Sequence, residues 1–187
     1  MSSLILNLPY SSCAIPPGVA RALGLSEEEL RLEQWRLCDP HLARLAKSAA
    51  QLRDKDRPVV TYDYSPIVAD PLGLWALELG GGEGGAATLP RSTAGKTIAW
   101  KEKDREVIFN RAVVPYYQRL QECVEAALKH SPLVLVLTVR SYSSRPLEFE
   151  KNRRYPRPQA TVSSEEGLTP QGLADLALRS RRAFHGW

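Results

Sequence analysis

Histidine and cysteine are scarce in this sequence, with three of each among 187 residues. Cys13, Cys38 and Cys123 are odd in number and far apart. That excludes a disulfide framework and a paired-cysteine zinc site, and leaves reduced thiols that fill core space. No Gly-x-Ser-x-Gly segment occurs, which excludes a nucleophile elbow. Gly95-Lys96-Thr97 has Pro90 where a phosphate-binding loop needs a glycine, and no apolar strand leads into it, so a nucleotide site is excluded as well. No apolar run approaches the roughly 20 residues that cross a bilayer. The opening residues MSSLILNLP lack the basic stretch of a signal peptide. The expectation is a cytoplasmic protein with no membrane partner.

Hydrophobic residues make up 43% of the chain and charged residues 25%, the balance of one globular domain with a full core. The net charge of +4 gathers late, in Arg140, Arg145, Lys151, Arg153, Arg154 and Arg157. Pro146, Pro156 and Pro158 make this stretch a loop. No recognition motif surrounds Phe149 or Tyr155, so a solvated or carboxylate-binding loop is preferred to a nucleic-acid contact.

Leu133-Val-Leu-Val-Leu-Thr-Val139 is continuously apolar apart from Thr138. It reads as a central parallel strand covered on both faces. Polar residues begin abruptly at Arg140, and ligands of open α/β sheets sit at the carboxyl ends of strands. Arg140, Ser141, Ser143 and Ser144 are therefore the first candidates for a site. Leu4–Leu8, Val59–Tyr62 and Ile67–Ala69 are further strands, and the segment through Pro16-Pro17-Gly18 reads as loop. Ser26-Glu27-Glu28-Glu29 is a capping box that opens a helix to about Leu37. Asp39 caps the next helix, with Pro40 in its first position and Leu42, Leu45, Ala46, Ala49 and Leu52 as its apolar stripe. His41 in that first turn could add to a metal site, although a plain capping turn explains it better. Gly80–Gly85 places a flexible loop over 80–98. Residues 104–130 are helical in pattern, interrupted at Pro115, and Thr169-Pro170 opens a last helix. Helices alternating with apolar strands give an α/β fold with a largely parallel or mixed sheet.

Several segments, taken in order, resemble the N-formylglutamate amidohydrolase family, zinc-dependent hydrolases related to the zinc carboxypeptidases. Pro9-Tyr10-Ser11-Ser12 stands at the family's Pro-His-Ser/Ala-Gly motif. Asp39-Pro40-His41-Leu42-Ala43-Arg44-Leu45 stands at Asp-x-His-x-Asp-x-Leu. Val68-Ala69-Asp70-Pro71-Leu72-Gly73 keeps at most the aspartate of Val-Asp-x-Asn-Arg. Arg111 and Pro115-Tyr116-Tyr117 stand at the family's Arg and Pro-Tyr-His, and Thr138-Val139-Arg140-Ser141 at Asp-x-His-Ser. The resemblance implies one domain over 1–187 with a three-layer, phosphorylase/hydrolase-like fold, its sheet covered by helices on both faces. It also implies a C-terminus shorter than the family's, with the missing part open to completion by another chain.

The family's metal-binding and catalytic histidines then fall on Tyr10, Tyr117 and Arg140. Zinc prefers imidazole or thiolate, and arginine cannot ligate it. The first expectation is a pseudoenzyme or partner subunit without zinc or any other cofactor. Its pocket of Tyr10, Ser11, Asp39, His41, Arg111, Tyr117, Arg140 and Ser141 would take a small carboxylate-bearing ligand. A variant of this reading has Arg140 pair with Asp39 and close the pocket. The alternatives are an active amidohydrolase on an N-acyl amino acid or peptide, using zinc or a deprotonated Tyr10 or Tyr117 as base, and a protein-interaction or self-associating module using the basic loop 145–157.

Overall fold

Six residues, Ser3–Leu8, form the strand on which the rest is laid (β1). In the computed structural model, residues 3–53, 57–73 and 88–141 are described. After β1 come α1 (Pro17–Leu23), α2 (Glu27–Leu37), α3 (Pro40–Arg53), β2 (Val59–Thr61), α4 (Glu102–Ile108), a π-helical turn (Phe109–Val113), α5 (Val114–Leu128) and β3 (Val134–Thr138). The sheet order is β2-β1-β3, with both pairings parallel. Leu6 sits opposite Val59 on one side and Leu137 on the other. This is an α/β fold with a parallel sheet, as the sequence pattern predicts.

Among the described residues the middle strand is β1 and not the Leu133 segment. Ile5 to Leu8 are all buried, whereas β3 lies half exposed, with Val136 at 36% and Leu133 just before the strand at 63%. A continuous apolar run fits either place, because periodicity says nothing about the number of neighbours.

The alternation of β1 divides the core. Leu6 and Leu8 pack with Leu42 and Ala46 of α3. Ile5 packs with Leu23, Leu37, Val60, Val113 and Tyr116, from α1, α2, β2 and the α4–α5 segment. The α3 stripe is narrower than its sequence implies: Leu45 is 67% exposed and Ala49 is exposed too. Leu42 and Ala46, four residues apart, meet the sheet, with Ala43 packed beside them.

Local signals decide most boundaries. Ser26 Oγ accepts from Glu29 N (3.2 Å) while Glu29 Oε2 accepts from Ser26 N (2.6 Å), the reciprocal capping box. Asp39 Oδ1 accepts from His41 N and Leu42 N and caps α3. Pro115, in the first turn of α5, lacks an N–H and crowds the carbonyl four residues back. The helix widens just before it, and Val114 N reaches Phe109 O.

Two sequence expectations fail here. The segment read as a loop through Pro16-Pro17-Gly18 opens α1, with Pro17 in the first turn and Gly24 closing the helix at φ 63°. Ile67-Val68-Ala69 is a buried turn and not a strand, since Val68 N bonds back to Ser65 O (2.9 Å).

Residues 88–98, within the stretch expected to be flexible, are pinned to α2. Glu33 is 2% exposed; both of its carboxylate oxygens accept from Thr93 N (3.0 and 2.9 Å), and Oε1 also accepts from Thr93 Oγ1 (2.6 Å). The Gly95 turn carries Lys96 to an ion pair with Glu29 (2.9 Å) rather than to a phosphate. Glu33→Ala strands two Thr93 donors, and hydrogen bonds to a buried charge are worth about 1.5–3 kcal/mol each. The expected result is a loss of about 2–4 kcal/mol in urea unfolding. A change within about 0.5 kcal/mol, the range of ordinary surface substitutions, would contradict this clasp.

Candidate functional site

The carboxyl ends of the three strands are stitched together by backbone bonds. Tyr62 N reaches Leu8 O (3.4 Å), Val139 N reaches Asn7 O (2.8 Å), and Asp39 N reaches Tyr10 O (2.8 Å). Pro9-Tyr10-Ser11, the start of α3 and Arg140 therefore sit at one edge of the sheet.

At the centre of that edge is a carboxylate that composition does not single out. Asp70 is fully buried; its Oδ1 accepts from Tyr10 Oη (2.9 Å) and Leu72 N (3.1 Å). Tyr10 is 3% exposed. Burial, then the charge of Asp70 and the hydrogen bond to it, push its phenol far above the ordinary value, while the nearby Arg140 charge pulls the other way.

Three more tyrosines complete the surroundings. Tyr116 Oη donates to Asn7 Oδ1 (2.7 Å), and Asn7 Nδ2 donates to Thr138 Oγ1 (3.1 Å), so one chain of bonds, buried at Tyr116 and Asn7, crosses from α5 through β1 to β3. Burial raises the Tyr116 phenol to about 12. Tyr62 lies edge-on to Tyr116, with centroids 5.5 Å apart, and its buried Oη has no hydrogen-bond partner among the described residues. Burial and then Asp70 push this phenol up too. Tyr117 is 41% exposed, lies edge-on to Tyr116 (5.1 Å) and donates from Oη to Pro71 O (2.6 Å).

Of the eight residues expected to form a pocket, the fold brings Tyr10 and Tyr117 to Asp70 and its neighbour Pro71, with the Arg140 charge near Tyr10. Ser11 is buried, but its Oγ is spent on Leu8 O (3.1 Å). Asp39 adjoins Tyr10 through the backbone while its side chain caps α3. It opens instead, with exposed His41, onto a shallow cavity of about 350 Å³ along α3 that Leu42, Arg44, Leu45 and Ser48 also line. Arg111 is exposed on the π-helical turn, and Ser141 is exposed beyond β3. Arg140 is exposed and forms no ion pair with Asp39; the ion pairs among the described residues are Lys96–Glu29 and Arg119–Asp63. The basic loop 145–157 lies outside the described residues.

Tyr10 and Tyr117 both donate hydrogen bonds and both have raised phenols. Neither is poised to accept a proton at neutral pH. Asn7, Tyr62, Asp70 and Tyr116 are the members that the sequence did not propose.

The chain is an α/β protein with a parallel sheet, and the buried acid and its phenols lie at the carboxyl edge, where open α/β sheets take their ligands. The family model for N-formylglutamate amidohydrolase matches residues 2–185, and the chain belongs to that family. No curated protein and no solved structure matches it.

Proposed function

We propose that this chain is a zinc-free member of the N-formylglutamate amidohydrolase family that binds a small carboxylate-bearing ligand, as a binding protein or partner subunit. The observation that carries the reading is the Tyr10–Asp70 hydrogen bond. The position where the family motif has histidine holds a buried phenol that keeps its proton, tied to a carboxylate. The donor set does not fit a catalytic zinc. Among the described residues no three His, Cys, Asp or Glu side chains converge, Asp39 is occupied with capping, and Arg140 is a permanent cation.

Arg140 supplies the positive charge at this edge and is exposed for two-pronged contact with a carboxylate. The packing of α3 and α5 on opposite faces of β1 supports a three-layer, phosphorylase/hydrolase-like architecture.

Glutamate-like dicarboxylates are expected to raise the melting temperature of the purified chain, and Arg140→Ala to abolish that rise. A ligand at one hundred times its Kd stabilises by about 2.7 kcal/mol, enough to read. Elemental analysis is expected to find zinc well below one ion per chain. Stoichiometric zinc that survives dialysis against a chelator, or a shift that persists in Arg140→Ala, would overturn the reading.

A further inference from the structure

Two of the three cysteines, separated by one loop and two helices in sequence, meet in the fold. Gln34 Nε2 donates to Cys13 O (2.6 Å), and Cys38 N donates to Gln34 O (3.1 Å). Ser65 N bonds to Ala14 O (2.9 Å) while Ser65 Oγ lies 3.2 Å from Cys38 Sγ. Together with Asp39 N on Tyr10 O, these contacts clamp residues 10–14 against residues 34–39. They make Cys13 and Cys38 neighbours: Ser65 holds the backbone next to Cys13 with its N–H and the Cys38 thiol with its hydroxyl. Both are free and partly buried, and Cys13 lies in irregular backbone that can adjust to disulfide geometry.

We propose that Cys13 and Cys38 form a dithiol site that a low-molecular-weight disulfide converts reversibly to an intramolecular disulfide, fastening the segment after β1 to the C-cap of α2. This goes beyond the ligand reading and does not rest on it. In the first step the Cys13 thiolate attacks one sulfur of the small disulfide. A mixed disulfide forms and one small thiolate leaves. In the second, Cys38 gives up its proton and its sulfur attacks Cys13 Sγ, expelling the other half of the reagent. Two protein thiols are oxidised to one disulfide, and one small disulfide is reduced to two thiols.

The order follows from the surroundings. Burial raises the Cys38 thiol to about 12, so it is a poor first attacker. It needs a sulfur already held next to it, and Ser65 Oγ is placed to share its proton.

Oxidised glutathione, added to the reduced full-length chain, serves as the probe, followed by alkylation and non-reducing peptide mapping. The expected product is a Cys13–Cys38 cross-linked peptide, with Cys123 alkylated. The closed loop should raise the melting temperature by about 5–10 °C, and a dithiol reductant should reverse both changes. Cys38→Ser is expected to stop at a glutathione adduct on Cys13, and Cys13→Ser to leave Cys38 unmodified. Should either variant fail to fold, the map of the unsubstituted chain still decides. A retained glutathione adduct on Cys13, a bridge to Cys123, or full alkylation of Cys13 and Cys38 after oxidation would each overturn the proposal.

Discussion

Replacing Asp70 with alanine is expected to cost about 3–5 kcal/mol, a large part of the 5–15 kcal/mol that holds a typical domain together. The carboxylate is fully buried, and Tyr10 Oη and Leu72 N both donate to it. Removing it leaves those buried donors without their acceptor. Unsatisfied buried groups each cost about 1–3 kcal/mol. Asp70→Asn keeps an acceptor for Tyr10 and gives up the charge, so about 1–2 kcal/mol is expected. Urea unfolding of the two variants and of Tyr10→Phe closes a cycle, and the coupling between positions 10 and 70 should lie near 1–2 kcal/mol. If Asp70→Ala unfolds at the same urea concentration as the unsubstituted chain, Asp70 does not anchor this edge of the sheet.

The second large effect is alkaline. Tyr10, Tyr62 and Tyr116 are nearly or fully buried, and each phenol is raised above the ordinary 10.0, Tyr116 to about 12. Below pH 10 these phenols are protonated in both folded and unfolded chains, so their contribution is fully present there. Above pH 10 the unfolded chain releases protons that the folded chain retains, and stability falls as pH rises through the folded values. Each phenol contributes a slope of about 1.4 kcal/mol per pH unit, and the three together about 4. Stability should therefore begin to fall near pH 9, where the raised Cys38 thiol acts with the same sign, and collapse between about pH 10 and 12. Tyrosinate absorbance should rise together with the loss of helical circular dichroism. A gradual rise in absorbance from pH 10 with the helices intact would mean that these phenols ionise in the folded chain.

Features set by neighbours in sequence were legible without coordinates. The capping box at Ser26, the Asp39-Pro40 helix start and the interruption at Pro115 each depend on a side chain and backbone groups within a turn of it. Features set by distant neighbours were not. The Leu133 run told its hydrophobicity and not its place in the sheet. Ile67-Val68-Ala69 is as apolar as a strand, but Ser65 turns the chain back on itself first.

The site followed the same division. Tyr10, Tyr117 and Arg140 came from motif positions. Asn7, Tyr62 and Tyr116 sit among apolar or aromatic residues that look like ordinary core, and the polar chain joining Tyr116 to Thr138 appears only when α5 is laid on β1. Asp70 was visible as a motif remnant, but nothing in the sequence distinguished a buried anchor from a surface acid. The clasp between Glu33 and Thr93 spans sixty residues and had no local signature.

The widened turn at Phe109–Val113 has a consequence for how one rod serves two duties. Ile108 and Tyr116 both point inward, at 8% and 0% exposure. On an unbroken α-helix of 3.6 residues per turn, two positions eight apart would diverge by roughly 80° around the axis. The five-residue π-helical turn advances less per residue than an α-helix and so narrows that divergence, which helps the apolar grip upstream and the tyrosine that reaches Asn7 to serve one core.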